Sequence, residues 1–143
     1  MNAVDTNILF YAKDMRETVK QPIAESLIQT LLDGVLIWQV ATEYIAITRK
    51  LEPLGYNRKK AFDDLRLLRS AWKTILPSWA VLDRAENLIN RYSVSSWDAL
   101  IIAACLENGV TKLYTEDIAD NFRKEGIEII NPFQIQTPSE KSK

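Results

Sequence analysis

Ser95-Ser96-Trp97-Asp98-Ala99-Leu100-Ile101-Ile102-Ala103-Ala104-Cys105-Leu106-Glu107-Asn108-Gly109 reads as a helix with no solvent face. The serine pair supplies an N-cap, and Gly109 supplies the C′ position where a helix turns off. Between them Ala99 to Leu106 is apolar without a break. A surface helix keeps one apolar stripe, whereas one that is apolar all round must be enclosed. This helix is therefore expected in the middle of a single domain, with other layers around it.

Outward from it, short apolar runs alternate with helical periodicity. Downstream, Lys112 to Tyr114 and Ile127 to Ile130 read as short strands on either side of a polar helical segment. Upstream, Ser78 caps a helix that turns Val81, Ala85, Leu88, Ile89 and Tyr92 inward, after a very short strand at Ile75-Leu76. Two earlier helices carry Ala61, Leu65, Leu68 and Trp72, and Val40, Tyr44, Ile47 and Leu51, the latter ending at Pro53. Val35 to Trp38 is a buried-strand run. It follows a helix from Pro22, bearing Ala24, Leu27, Ile28 and Leu31, that stops at Asp33-Gly34. Met1 to Val4 is a first strand, giving way at Asp5-Thr6-Asn7 to a brief helix. Strands alternating with helices predict an α/β domain over 1–133, an α/β/α sandwich around a mostly parallel sheet. The polar residues 134–143 are expected to form a frayed tail.

There is no histidine anywhere in the 143 residues, and Cys105 is the only cysteine. Ser-His-Asp and Cys-His triads, histidine zinc sites and thiolate clusters are excluded at once. Any catalysis falls to carboxylates, hydroxyls, lysines or a hard metal such as Mg²⁺ or Mn²⁺ held by oxygen. No apolar run approaches the ~20 residues of a membrane span, and no leader is visible at the N-terminus. A lone cysteine agrees with a cytoplasmic location.

In a parallel sheet the ligand crevice lies at the carboxyl ends of the strands. Asp5 stands where the first strand ends, and Asp117 just past the Leu113-Tyr114 strand. Asp98 opens the buried helix. Glu43 lies on the helix after the Trp38 strand, bordering its apolar stripe between Val40 and Ile47. Each has an ordinary reading as a cap, a dipole partner, a turn residue or a solvated acid. As a set they put four carboxylates where they converge, and clustered carboxylates call for a cation.

The strings Val4-Asp5-Thr6-Asn7-Ile8-Leu9, Glu43, Trp97-Asp98-Ala99-Leu100-Ile101-Ile102-Ala103-Ala104 and Tyr114-Thr115-Glu116-Asp117, in that order, resemble a PIN-domain ribonuclease. The closing Asn131-Pro132-Phe133 is similar to the end of VapC-like toxins in that family. The resemblance covers Met1 to Phe133. It implies an acidic pocket of Asp5, Glu43, Asp98 and Asp117 binding Mg²⁺ or Mn²⁺, with Thr6 and Thr115 as hydroxyl neighbours and Asp120 secondary. It also implies RNA cleavage leaving 5′-phosphate and 3′-hydroxyl ends, a homodimer, and a cognate antitoxin.

The net charge is −1, but residues 49–73 hold eight basic residues against three acidic ones. Arg66, Arg69 and Lys73 recur at i, i+3, i+7, a stripe able to hold RNA phosphates beside the pocket. Its ordinary reading is a solvated face. Tyr56 is a candidate to stack on bases, and Trp72 reads as core. Two other functions stay open: a non-catalytic interaction module of the same fold, and a Mg²⁺-dependent phosphatase with an aspartyl nucleophile. The phosphatase wants a second acid two residues after the first, where this chain has Asn7.

Overall fold

The computed structural model describes residues 1–134. Five strands, β1 (Asn2–Val4), β2 (Gly34–Ile37), β3 (Lys73–Ile75), β4 (Lys112–Tyr114) and β5 (Glu128–Ile130), form one sheet in the order β3-β2-β1-β4-β5. Every neighbouring pair is parallel. Six helices cover the two faces: α1 (Thr6–Tyr11), α2 (Lys20–Thr30), α3 (Trp38–Ile47), α4 (Arg58–Ala71), α5 (Trp79–Arg91) and α6 (Ser96–Glu107). α5 packs on α6, while α1 packs on α2 and α3, and α3 on α4. The α/β sandwich expected from the alternation is the fold observed.

The enclosed helix is α6. Ala99, Ile101, Ile102, Ala103, Ala104 and Cys105 are all buried, which disposes of most of its circumference. Ser95 caps it by accepting from the Asp98 N–H at 3.1 Å, and Gly109 leaves it with φ +73°. Ser78 caps α5 through the Val81 N–H, and Asn57 caps α4 through the Lys60 N–H. Each such cap contributes about 1 kcal/mol and fixes where its helix starts.

Several local expectations change, among them Trp38, which begins α3 and does not end β2. β3 is Lys73–Ile75, because Lys73 to Ile75 pair with Val35 to Ile37; Leu76 lies beyond it and is exposed. α4 stops at Ala71, so Lys73 belongs to a strand and the supposed helical stripe of Arg66, Arg69 and Lys73 does not exist. α3 ends at Ile47, and Pro53 sits in a following 3₁₀ stretch, Thr48–Leu54. The segment between β4 and β5 holds only a 3₁₀ turn, Arg123–Glu125. There the Asp120 carboxylate accepts from the Ile129 N–H and binds Arg123, side-chain bonding that competes with a helix. The tail expectation at 134–143 falls, apart from residue 134, outside the described residues.

Gly34 has a packing role. It begins β2, and a Cβ added there would meet the Trp72 indole at 2.5 to 2.8 Å. Trp72 is buried core, as its sequence reading holds. Gly34→Ala should therefore cost about 1–3 kcal/mol by overpacking. Denaturant unfolding is expected to show a lower midpoint with an unchanged slope.

Candidate active site

The chain runs outward from β1 to β2 and β3 on one side, then returns to β4 and β5 on the other. The reversal falls between β1 and β4, and the crevice of a parallel sheet opens at the carboxyl ends of such a pair. Asp5 follows β1 and Thr115 follows β4, and the Asp5 N–H donates to the Tyr114 carbonyl at 2.9 Å. The topology thus delivers a buried carboxylate, Asp5, to the switch point.

Asp5, Glu43, Asp98 and Asp117 line one cleft of about 460 Å³. They come from four different places in the chain: the β1–α1 junction, α3, the first turn of α6, and the segment after β4. Among the described residues, no cationic side chain lines this cleft.

Each acid but one is held by neutral donors. Asp5 is 6% exposed and accepts from the Thr6 N–H at 2.7 Å and the Thr115 hydroxyl at 2.8 Å. Glu43 accepts from the Thr6 hydroxyl at 2.7 Å and the Gln39 amide at 3.1 Å. Asp117 accepts from the Asn7 amide at 2.9 Å. Asn7 also donates to the Thr115 hydroxyl, so it ties the ends of β1 and β4 together. The Asn7 carbonyl oxygen is buried with no partner, a polar atom aimed where water or a ligand would satisfy it. Asp98 stands at the helix start, where its hydroxyl neighbour is the capping Ser95.

Burial pushes the Asp5 carboxyl up from 3.8 to about 6; hydrogen bonds from Thr115 and Thr6 oppose this, and the negative charges of Glu43 and Asp98 add to it. Asp98 is also raised, by burial first and then by the charges of Asp117 and Glu43, against an opposing bond from Ser95. The two groups respond to one another's neighbours, as members of a shared site do. Cys105 is a different case. Its fully buried thiol is pushed up to about 12, which makes it packing and not chemistry.

An all-oxygen donor set suits Mg²⁺ or Mn²⁺. Among the described residues no three acids draw close enough to enclose an ion as a cage. An ion bound here would be reached in part through water, as Mg²⁺ allows by keeping several of its waters. The donors that hold Asp5 and Glu43 stand behind the cleft and orient it.

The other nominated residues divide between the site and places away from it. Thr6 and Thr115 are buried at the site as donors. Asp120 is exposed and bound to Arg123, away from the cleft lining. Glu116 turns to Tyr11 and Lys20. Arg66 is exposed and bound to Asp63, and Lys73 begins β3, at the amino end of the sheet, opposite to the acids. Tyr56 does not line the acidic cleft, and its hydroxyl is bonded to Tyr44 and Asp64. Asn7 and Gln39 went unrecognised as site residues. The signal for Gln39 was its i, i+4 spacing to Glu43; for Asn7 it was the helix start beside Asp5.

No curated protein sequence matches the chain significantly. Solved structures resemble it at low identity. A toxin–antitoxin complex from Klebsiella pneumoniae is 19% identical, with a TM-score of 0.66 over 94% of this chain and 100% of that one. VapC20 from Mycobacterium tuberculosis, described as a Sarcin-Ricin loop cleaving toxin, is 16% identical, with a TM-score of 0.67 over 89% and 96%. VapBC2 from Rickettsia felis, bound to a DNA fragment from its promoter, is 17% identical, with a TM-score of 0.63 over 91% and 97%. The model of the PIN domain matches residues 3–124. With that match over most of its length, the chain belongs to the PIN domain family.

Proposed function

We propose that this protein is a metal-dependent ribonuclease, the toxin of a toxin–antitoxin pair, with Asp5, Glu43, Asp98 and Asp117 as its catalytic acids. The observation that carries the reading is the meeting of four carboxylates from four chain segments in one cleft at the β1/β4 switch point. A structural cluster would be neutralised by lysine or arginine, and none lines this cleft. Membership of the PIN family supports nuclease chemistry. The solved structure described as a toxin–antitoxin complex supports an antitoxin partner.

Asp5, Asp98, Asp117 and Glu43 would hold Mg²⁺ or Mn²⁺, which supplies Lewis-acid stabilisation of charge on the phosphoryl group. The protein's own contribution is placement. Thr6 and Thr115 fix both oxygens of Asp5, Thr6 and Gln39 fix those of Glu43, and Asn7 fixes Asp117. Water attacks phosphorus, the bond to the 3′ oxygen breaks, and that oxygen takes a proton, leaving 5′-phosphate and 3′-hydroxyl ends. The phosphatase reading loses its second acid to Asn7, whose amide serves Asp117 instead. We also propose a homodimer acting in the cytoplasm. Among the described residues, no helix is long and apolar enough to cross a membrane.

The test is incubation of the purified protein with cellular RNA and, separately, with a generic phosphomonoester, in Mg²⁺, in Mn²⁺ and in chelator. Cleavage of RNA alone, with divalent ions only and with 5′-phosphate ends, is expected. Phosphomonoester hydrolysis would restore the phosphatase, and inertness in every condition would leave an interaction module.

A further inference from the structure

The acidic cleft shares one wall with a second, uncharged groove, and that wall is Trp97. The groove, about 520 Å³, is lined among others by Trp38, Leu76, Trp79, Leu82 and Leu100, with no charged residue. Trp97 lines both cavities. It is 66% exposed although it precedes Asp98 in the first turn of α6. Its backbone is tied to the acids, since the Gln39 amide donates both to the Trp97 carbonyl, at 3.3 Å, and to Glu43.

A polyanion approaching this cleft meets carboxylates and no cationic side chain in either cavity. Beyond the ion the acids would hold, the side chains lining the two cavities offer the substrate no cationic grip. An exposed indole offers a non-ionic one, because every base has a face that stacks on an aromatic ring whatever its identity. Resting on the ribonuclease reading, we infer that Trp97 is a substrate-positioning residue, a platform on which an unpaired nucleobase stacks while its adjoining phosphodiester lies in the acidic cleft. The substrate class is then RNA that is single-stranded at the cut, since a paired base cannot turn its face to the indole. Trp38 extends the same aromatic surface away from the acids.

The experiment compares wild type, Trp97→Ala and Trp97→Phe on one RNA that the wild type cleaves, presented as a single strand and annealed to its complement. Oligomeric state is measured alongside. Trp97→Ala should raise KM for the single strand about 10-fold, about 1.4 kcal/mol, with kcat nearly unchanged. Trp97→Phe should recover most of the loss, and the annealed RNA should resist all three proteins. A direct binding titration in the inactive Asp5→Asn background should show the same 10-fold weakening on adding Trp97→Ala. Unchanged KM and affinity overturn the inference and leave the ribonuclease reading intact. So does loss of kcat alone, or conversion of a dimer to monomers, which would give the face to a second copy. A wild type that neither cuts nor binds RNA overturns both.

Discussion

Asp5→Asn and Asp98→Asn should each lose RNA cleavage by more than about 100-fold while keeping the fold, if the proposed function holds. Disturbing only the groups behind a metal ligand typically costs about 10–100-fold, and on the proposed function these substitutions would remove a charged ligand itself. The two differ in how much else they disturb. Asp5 is enclosed and accepts two hydrogen bonds, of which asparagine keeps one acceptor oxygen. Asp98 is half-buried at the start of α6, where the asparagine amide replaces a charge without opening a network like that around Asp5. Circular dichroism and the unfolding midpoint should report an intact domain for both. Near wild-type cleavage by either variant, freshly purified and in Mg²⁺, would remove that residue from the site.

The second large effect is on stability. The Asp5 carboxyl titrates at about 6 in the folded protein and ordinarily at 3.8. A folded value above the unfolded one means that the protonated form is the better guest. Its contribution is complete below the unfolded value and is lost as pH rises through the folded one. The metal-free protein therefore gives up roughly 3 kcal/mol at this one group between about pH 4 and about pH 7.5. Other carboxylates pull the opposite way. Arg16 holds Asp14 below the usual range, and Asp120 is lowered by the Ile129 N–H and Arg123 against its own desolvation. The difference between wild type and Asp5→Asn cancels them. Denaturant unfolding in chelator should show the variant gaining on wild type by roughly 3 kcal/mol as pH rises across that window. Saturating Mn²⁺ at neutral pH should then stabilise wild type, by about 2.7 kcal/mol at a hundredfold excess over its dissociation constant. The variant should gain much less. A pH-independent difference would show that burial does not strain Asp5.

The sequence carried those parts of the fold that rest on local chemistry. α6 was legible because an unbroken apolar stretch between a serine cap and Gly109 has one packing solution. β4 was legible to its ends, and Ser78 and Ser95 cap the helices they were expected to cap. What misled was register set by distant partners. Lys73 continues the helical spacing of Arg66 and Arg69, yet pairing with Val35 pulls it into β3. Asp33-Gly34 looked like a helix stop, whereas Gly34 is in β2 and is small because Trp72 lies over it. The four acids were found from strand ends and helix starts, where the parallel-sheet rule directs attention. The groups that hold them were found only in part. Asn7 reaches Asp117 across 110 positions of sequence, and no spacing announces such a contact. Trp97 was hidden for the opposite reason, since an apolar residue ahead of an apolar run reads as more core, while its 66% exposure is a tertiary fact.

The most direct measurement on the central claim is the binding of Mn²⁺, by calorimetric titration at neutral pH, to wild type, Asp5→Asn, Asp98→Asn and the exposed control Asp120→Asn. One shared carboxylate site predicts saturable binding by wild type and Asp120→Asn, and a loss of at least about 10-fold in affinity in each of the other two. Equal binding by all four proteins would contradict it, because the acids lining the cleft would then not be what holds the ion.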